Sequence, residues 1–307
     1  MDAMKYPAKY GTCILLAMFW LVNFGCSKKK LPEPSLQQQY EQALLIRSPE
    51  RRMLQLMKLA VRQRKAGDRP GSRASLEAAE STCQLIENLA TRISTLCKLA
   101  RVQVYLSQKS KAVRSLQRAE GLLEQIVPLA QRIESLSRLA DVYQSLDQPE
   151  SGVGHLLSAR TLLDQVDDER EKVSAILFVA RGYFKLENTE PLNQLIDQVI
   201  QLSRNASQPR QRTEMLLEVA GCINEMQYAD RALKLVQEAA EAAGRVNDDL
   251  SRAYSLVDVA AGFVVVGRNN QAEISLQQAE EIADKMVGDA SMKQALMEKL
   301  ASQRKRL

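Results

Sequence analysis

The stretch RISTLCKLA at residues 92–100 returns as RIESLSRLA at residues 132–140. The same spacing of 40 residues continues along most of the chain, and we call a set of positions 40 residues apart a column. Aliphatic columns begin at Leu56, Leu59 and Leu76, and a mostly alanine column begins at Ala79. One column holds alanine in all six repeats: Ala60, Ala100, Ala140, Ala180, Ala220 and Ala260. Columns that stay in register through six repeats indicate a repeat architecture.

Each repeat contains two helical patterns. Its apolar positions recur at the i, i+3, i+4, i+7 spacing of one helix face, and a short polar break separates two such stripes. In the first repeat the helices are expected at residues 50–66 and 71–87. No proline between residues 48 and 290 lies in the interior of a predicted helix, where it would break the helix. Gly67 and Gly267 mark the end of a first helix, because glycine readily adopts the left-handed conformation that stops one.

A single hairpin cannot bury both of its apolar stripes, whereas stacked hairpins can. The sequence therefore predicts an all-α fold, an α-α superhelix or solenoid. Six helical hairpins are expected over residues 48–290, followed by a capping helix and basic tail over residues 291–307. Residues 26–47, which contain the stretch LPEPSLQQQ, are expected to form a polar tether.

The repeats resemble those of the tetratricopeptide (TPR) family. Residues 136–143 read L-x2-L-A-x2-Y, which resembles the first-helix pattern W-x2-L-G-x2-Y. Ala112-x3-Leu116, Ala232-x3-Val236 and Ala272-x3-Leu276 resemble the A-x3-F of its second helix. This chain departs from the family in having aliphatic residues in place of the tryptophan and a period of 40 residues rather than about 34. A HEAT-like array, whose period also lies near about 40, is the alternative.

The resemblance implies a concave groove lined by first helices. Such a groove would be basic in its N-terminal half and acidic in its C-terminal half, which would orient an extended peptide; an ordinary solvated face is the alternative. The basic half would contain Lys58, Lys98, Arg101, Arg138 and Arg181, and the acidic half Glu214, Glu218, Glu225 and Asp258, with Met57, Leu177, Leu217 and Val257 between them. The family's clamp for a C-terminal carboxylate is not expected, because its asparagine position holds Val61, Arg101, Asp141 and Arg181.

A cation recurs near the start of every first helix, where the helix dipole disfavours positive charge. This column contains Arg52, Arg92, Arg132, Lys172, Arg212 and Arg252. One explanation is structural: the long side chains cover the hairpin junction and pair with nearby acids, for which the candidates are Asp167, Asp168, Asp248 and Asp249. The other is a basic edge that binds an acidic partner.

Residues 1–25 have the features of an export signal. Lys5 and Lys9 precede an apolar run of 12 residues, Cys13–Phe24, whereas a helix that spans a bilayer needs ~20. The following Gly25-Cys26 and three lysines resemble a bacterial lipoprotein signal, although Asn23 stands where that family prefers leucine. The resemblance implies that Cys26 is lipidated and becomes the mature N-terminus. Ordinary cleavage, an uncleaved anchor and a cytosolic protein are the alternatives.

The residues that catalysis would need are scarce. His155 is the only histidine, which leaves little for a histidine metal site or a Ser-His-Asp mechanism. A net charge of +5, from 42 basic and 37 acidic residues, does not indicate nucleic-acid binding without interleaved aromatic residues. Cys83, Cys97 and Cys222 are expected to be buried fillers, with a Cys83–Cys97 disulfide as the alternative. We therefore expect no enzyme activity, no metal, no cofactor and no nucleic-acid partner.

The expected function is that of an exported scaffold, tethered to a membrane of the cell envelope and facing the periplasm, which binds a protein or peptide. The alternative is a regulatory or sensor solenoid on the cytosolic side, held by an uncleaved N-terminal anchor.

Overall fold

A computed structural model describes residues 33–285 and 290–307, and every regular element among those residues is helical. A short helix, α1, spans Leu36–Leu44. Six hairpins follow, each made of a first and a second helix, and α14 (Ala290–Arg304) closes the described chain. The first helices are α2 (Pro49–Lys65), α4 (Leu89–Tyr105), α6 (Leu129–Ser145), α8 (Glu169–Lys185), α10 (Pro209–Glu225) and α12 (Asp249–Val265). The second helices are α3 (Arg69–Cys83), α5 (Lys109–Glu120), α7 (Pro149–Leu162), α9 (Thr189–Asn205), α11 (Ala229–Gly244) and α13 (Asn269–Lys285).

The predicted fold class, a superhelix of six hairpins with a capping helix, is confirmed. All six first helices are 17 residues long and lie within one residue of the predicted bounds. The second helices start about two residues earlier than predicted, so that Pro70 is the second residue of α3. Proline is tolerated there because the first turn of a helix has no intrahelical partner for its N–H groups. The second helices α5 and α7 are each followed by a 3₁₀ turn, Leu123–Gln125 and Leu163–Gln165.

The first helices form a continuous row. Each one packs against the second helix of its own hairpin and directly against the first helix of the next repeat. Each second helix in turn packs against the first helix of the following repeat. The alanine column is buried throughout, with at most 1% of any side chain exposed. A small side chain at these positions allows helix axes to approach to the usual 8–10 Å.

The expectation of a polar tether over residues 26–47 is wrong for its C-terminal part. Residues 36–44 form α1, and Ser35 caps its first turn through a reciprocal hydrogen-bond pair with Gln38. Ala43 is buried and Tyr40 packs against the core, where α1 covers α2. A short amphipathic helix therefore shields the exposed end of the solenoid, which the polar composition of the segment concealed.

At the other end, α14 caps the array. Leu296 and Leu300 are buried against the last hairpin. Arg304 binds Glu280 at 2.8 Å and Glu273 at 3.3 Å, and both carboxylates belong to α13. Its exposed side chains include Gln294, Glu298 and Ser302, as is typical of a helix that caps a solenoid.

Every first helix ends in the same left-handed turn. Gly67 and Gly267 have φ of +83° and +71°, as predicted, and four other residues of that column share the conformation. These are Ser107 (60°), Asp147 (61°), Glu187 (54°) and Gln227 (71°). In each repeat the next N–H donates to a carbonyl five residues earlier, as in Asp68 to Gln63 at 2.9 Å and Gln108 to Gln103 at 2.7 Å. This is the Schellman motif, and it turns the chain into the second helix at the same angle six times.

No helix in the described part of the chain combines the length and hydrophobicity needed to cross a membrane.

At the column of residues with positive φ, substitution to glycine and substitution from glycine should change the stability of the protein in opposite directions. Gln227→Gly should raise the free energy of unfolding by about 0.5–1 kcal/mol, because glycine adopts positive φ without steric cost. Gly67→Ala should lower it by about 1 kcal/mol, although a Cβ at Gly67 would meet no atom within 4 Å. Urea denaturation measures both changes.

The matched control is Gln201→Gly at an exposed position inside α9, where glycine should lower the free energy of unfolding by about 0.5–1 kcal/mol. If Gln227→Gly destabilises the protein as much as Gln201→Gly does, the left-handed turn is not a source of strain.

Candidate functional site: a groove along the first helices

Two cavities lie on the face formed by the first helices. One, of about 420 Å³, is lined by residues of α2, α4 and α6. The other, of about 220 Å³, is lined by residues of α4, α6 and α8. Arg138 lines both, so the two cavities are neighbours, and we call the pair the groove. The groove exists because consecutive first helices contact each other directly and leave a furrow between their exposed side chains.

The larger cavity is lined mainly by uncharged polar side chains, with a few charged ones among them. Short hydroxyl side chains of α4, Thr91, Ser94 and Thr95, form its middle. The flanking helices contribute Glu50 and Leu54 from α2 and Gln131, Glu134, Ser135 and Arg138 from α6, and Lys98 of α4 also lines it. Thr95 donates its hydroxyl proton to the carbonyls of its own helix at Thr91 and Arg92, both at 2.9 Å. The cavity thus presents hydroxyl and amide groups between charged ends.

The smaller cavity, which we call the basic pocket, gathers four cations. They are Arg101 of α4, Arg138 of α6, and Arg181 and Lys185 of α8. Asp141 of α6 is the carboxylate in the lining, and its side chain is only 16% exposed. Asp141 is shared, because it forms an ion pair with Arg101 and a second one with Lys185 at 2.8 Å.

The other two cations of the basic pocket have partners outside its lining. Arg138 pairs with Glu134 one turn earlier on α6, and its guanidinium lies 6.0 Å from the centre of the Phe178 ring. Arg181 pairs with Glu225 of α10 at 2.6 Å. Such an arrangement of guanidinium groups on an aromatic face and beside carboxylates fixes their planes.

The cations of the basic pocket are partly buried and repel one another, and both effects lower the pKa values of Lys185 and Arg101. Burial lowers the pKa of Lys185, and the positive charges of Arg101, Arg181 and Arg138 lower it further. Burial also lowers the pKa of Arg101, with a further contribution from Arg138. The pocket is therefore a region of positive potential inside a partly dehydrated wall.

The structure brings together part of the predicted basic half of the groove. Arg101, Arg138 and Arg181 line the basic pocket and Lys98 lines the larger cavity, whereas Lys58 is exposed and lines neither. Lys185, Asp141 and Phe178 were missed as members of the site. Lys185 follows Arg181 by four residues, so the helical repeat could have placed it on the same face. The use of these residues in binding stays a prediction.

The carboxylates of the predicted acidic half are engaged with neighbouring repeats. Glu214 pairs with Arg170 at 2.5 Å and with Arg210 at 3.2 Å. Glu218 accepts a hydrogen bond from Ser174 at 2.6 Å, and Asp258 pairs with Lys299 at 2.7 Å. None of Glu214, Glu218 and Asp258 lines either cavity of the groove.

The expectation that apolar side chains run along the groove surface is wrong for Met57, Leu177 and Val257. All three are buried in the core, with at most 4% exposure, and Leu217 is half-buried. First helices pack against one another as well as against their second helices, so their apolar face is wider than a single stripe.

In four of the six first helices, the recurring cation near the helix start contacts the backbone of the junction between repeats. Arg52 and Arg92 donate their Nε–H to the carbonyls of Ile46 and Ile86 at 2.8 and 2.6 Å. Arg212 donates to the carbonyl of Ala206 at 2.8 and 3.1 Å, and Arg252 to that of Val246 at 3.1 Å. In each case the acceptor lies six residues earlier, so we call the contact the junction clasp.

The junction clasp is absent where the chain differs locally. Arg132 pairs with Glu124 instead, and Lys172 stands in the same column without a guanidinium. These two positions follow the 3₁₀ turns of the second and third repeats. A binding role for the basic edge Arg52, Arg92, Arg132, Arg212 and Arg252 stays a prediction, but the clasp accounts for most of the column without one.

Two of the four acids expected to pair with the cation column cap helices instead. Asp168 and Asp248 accept hydrogen bonds from the N–H groups of Glu171 and Ser251, at 2.8 and 2.7 Å, and so cap α8 and α12. Ser48 and Asn88 occupy the same column and cap α2 and α4. Of the four candidates, Asp249 pairs with its predicted cation, Arg252. The column before each first helix is therefore mainly a capping column.

His155 belongs to a polar contact between two successive hairpins. Its Nε2 lies 2.9 Å from Oε1 of Glu120, and the Tyr143 hydroxyl donates to the same oxygen at 2.6 Å. The His155 hydrogen bond holds the pKa of Glu120 below its usual range, and burial raises the pKa of Tyr143. In the first two repeats, the columns of Tyr143 and His155 hold a glutamine and a serine. Ser75 donates its hydroxyl proton to the Gln63 side chain at 2.7 Å, and Ser115 donates to the Gln103 side chain at 2.8 Å. His155 thus replaces a buried serine in the packing of its hairpin.

The remaining candidate groups lie in the core or outside the described chain. Cys83, Cys97 and Cys222 are buried free thiols, and burial raises the pKa of Cys97 to about 12 and of Cys222 to about 11. Within residues 33–285 and 290–307, no group of His, Cys, Asp and Glu side chains is arranged to hold a metal ion. The predicted export signal and Cys26 lie outside the described residues.

Comparison with known proteins finds low similarity. No protein-family model matches the sequence, and no curated protein matches it. Among solved structures, Ton1535 from Thermococcus onnurineus NA1 aligns over 94% of this chain and 99% of its own, with 14% identity and a TM-score of 0.42. A putative kinesin light chain of nearly identical TPR-like repeats from Podosopora anserina aligns over 65% of this chain and 98% of its own, with 19% identity and a TM-score of 0.36.

A third solved structure is PH0952 from Pyrococcus horikoshii, a signal-transduction ATPase with numerous domains that carries a tetratricopeptide repeat sensor. It aligns over 83% of this chain and 40% of its own, with 14% identity and a TM-score of 0.34.

The junction clasp predicts a stabilising role for its arginines. Arg212→Ala should lower the free energy of unfolding by about 1–3 kcal/mol, because it removes two charge-assisted hydrogen bonds and leaves the carbonyl of the buried Ala206 unpaired. Arg73→Ala, at an exposed position of α3, is the matched control and should change stability by no more than about 0.5 kcal/mol. Equal denaturation midpoints for the two variants would show that the clasp contributes nothing.

Proposed function

We propose that the protein is a non-catalytic scaffold that holds an extended segment of a partner protein in the groove. The observation that carries this proposal is that two neighbouring cavities, which share Arg138, together extend across four consecutive first helices, α2, α4, α6 and α8. Three steps of 8–10 Å between helix axes make about 30 Å, which an extended chain of about nine residues covers. The length suits a peptide rather than a small metabolite.

The chemistry of the groove supports the same choice. Pockets for small molecules are mostly apolar and enclose their ligand, whereas this groove is open and polar. Within the described chain, the side chains of Ser94, Lys98 and Gln131 form no hydrogen bond or ion pair. An extended peptide carries an N–H and a C=O on nearly every residue, and these groups need partners when a surface covers them. Ser94, Lys98 and Gln131 can serve as these hydrogen-bond partners in the larger cavity.

The proposal includes export and attachment to a membrane through a lipidated Cys26. The support comes from the sequence: a basic start, an apolar run too short to span a bilayer, and Gly25-Cys26 before three lysines. Nine residues, 27–35, lie between Cys26 and the start of α1 at Leu36, so the solenoid would stand close to the membrane surface. The partner is then a protein of the cell envelope.

Peptide binding in the groove can be tested with a library of random nonamers and a variant that fills the larger cavity. Ser94→Tyr places a large side chain in the middle of α4, at a column where repeat six already has Tyr254, so the helix tolerates it. Peptides selected on the unaltered protein should bind Ser94→Tyr at least tenfold more weakly, because the ring occupies their path. Fluorescence anisotropy with the selected peptides measures the change.

The matched control for the groove is Ser158→Tyr, at an exposed position of the second helix α7, which should bind the selected peptides as the unaltered protein does. A library that enriches no sequence, or peptides that bind both variants equally, would overturn the groove as a peptide site.

Lipidation of Cys26 can be tested by intact mass and membrane fractionation in a bacterial host. The unaltered chain should lack residues 1–25, carry a lipid on Cys26 and sediment with membranes, and Cys26→Ala should stay unprocessed or be released. Cys13→Ala, the same change inside the apolar run, should leave processing unaltered. A full-length chain that still contains Trp20 in all three proteins would favour the cytosol-facing alternative.

A further inference from the structure

We propose that the basic pocket binds the dianion of a phosphate monoester. The inference rests on the proposed function, because the pocket forms one end of the groove, and it names the group that this end recognises. The larger cavity beside the pocket adds one cation of its own, Lys98, whereas the pocket gathers four, so the pocket is the place in the groove with the highest concentration of positive charge.

Three successive repeats build the pocket. Arg101, Asp141 and Arg181 are members of one column, and the direct packing of α4, α6 and α8 brings them side by side. Arg138 lies one turn before Asp141, and Lys185 lies one turn after Arg181. Equivalent positions in a solenoid face the same direction. Arg101 of α4 and Arg181 of α8 therefore lie on either side of α6, the helix between them. Asp141, on that helix, holds Arg101 and Lys185 in place.

The positive charge of the pocket exceeds the negative charge that faces it. Its lining has four cations and one carboxylate, Asp141. Glu134 and Glu225 reach Arg138 and Arg181 from outside the lining, and the Glu225 side chain is 67% exposed. Four cations thus face three carboxylates, which leaves a surplus of one positive charge, and rotation of the exposed Glu225 side chain into solvent would raise the surplus to two. A phosphate monoester, with a charge of close to −2 near neutral pH, would take the place of Glu225 and neutralise this surplus.

The type of cation also favours phosphate. Three of the four are arginines, and a guanidinium group binds two phosphate oxygens at once through parallel N–H donors. The Phe178 ring beneath Arg138 holds one of these planar groups in a fixed orientation. A volume of about 220 Å³ corresponds to roughly seven water molecules at ~30 Å³ each, which leaves room for a phosphoryl group and a few waters.

The mutual repulsion of the cations is consistent with an anion site. The pKa of Lys185 is lowered first by burial and then by Arg101, Arg181 and Arg138, all of which line the same pocket. An anion placed among them would reverse this electrostatic penalty. The site is therefore built to gain from a ligand charge, whereas the acidic positions of the later repeats are already paired within the chain.

Isothermal titration calorimetry on the whole solenoid, with inorganic phosphate as the probe, tests the pocket. At constant ionic strength, phosphate should bind at least tenfold more tightly than acetate, because acetate has one charge and two oxygens. The double variant Arg181→Gln/Lys185→Gln should lose at least tenfold in phosphate affinity. Equal affinities for phosphate and acetate, or unchanged phosphate binding by the double variant, would overturn the proposal.

A matched control keeps this result interpretable. Arg73→Gln/Arg114→Gln removes the same charge from exposed positions of α3 and α5 and should bind phosphate as the unaltered protein does. The pocket variant is expected to fold, since Asp141 keeps Arg101 and the exposed Glu225 loses a surface partner only. Thermal denaturation checks this: phosphate should raise the midpoint of the unaltered protein and of the control, but not that of the pocket variant.

The phosphate could belong to a phosphorylated peptide or to a small phosphate ester. Three nonamer libraries, with phosphoserine, serine or glutamate as the central residue, distinguish these two sources. Preference for the phosphoserine library identifies a phosphorylated peptide, and phosphate binding without that preference identifies a small phosphate ester; both support the pocket. Loss of phosphate binding while peptides remain sensitive to Ser94→Tyr would overturn this inference alone. Phosphate binding without any peptide binding would instead contradict the proposed function.

Discussion

Direct packing of each first helix against the first helix of the next repeat is the contact on which the rest of the structure depends. It buries a second apolar face that a lone hairpin would expose, and it makes the fold a row of repeats rather than a set of independent hairpins. The same contact leaves a furrow between exposed side chains, and the two cavities of the groove lie in that furrow. Core and groove are thus two sides of one packing arrangement.

The fold could be predicted from the sequence because packing requirements repeat at a constant spacing. Buried columns such as the alanines have to satisfy the same helix–helix distance six times, so they show the period clearly. The left-handed turn was visible only at Gly67 and Gly267, because Ser107, Asp147, Glu187 and Gln227 adopt a strained conformation that their side chains do not indicate. Helix α1 was missed because it has a single buried residue, Ala43, within a polar segment.

The candidate site could be predicted less completely, since it depends on contacts between repeats. Arg101, Arg138 and Arg181 were found by placing the first helices along a groove, but several ion pairs between first helices follow an offset that the period alone does not give. Arg181–Glu225, Arg170–Glu214 and Lys185–Asp141 each join positions 44 residues apart, one repeat and one further helical turn. This offset arises because neighbouring first helices are displaced along their axes, a property of three-dimensional packing that one sequence does not display.

The same offset explains why the first helices of the earlier and later repeats differ in how their charges are paired. In the later repeats it places Arg170 and Ser174 of α8 against Glu214 and Glu218 of α10, so that these carboxylates are occupied within the chain. Between α6 and α8 it places Lys185 against Asp141, which Arg101 already holds, so two cations share one carboxylate. Identical geometry therefore compensates charge at one junction and leaves a surplus at another. Recognition in such a solenoid resides in the few exposed columns where the residues differ from repeat to repeat, and the buried columns only hold them in register.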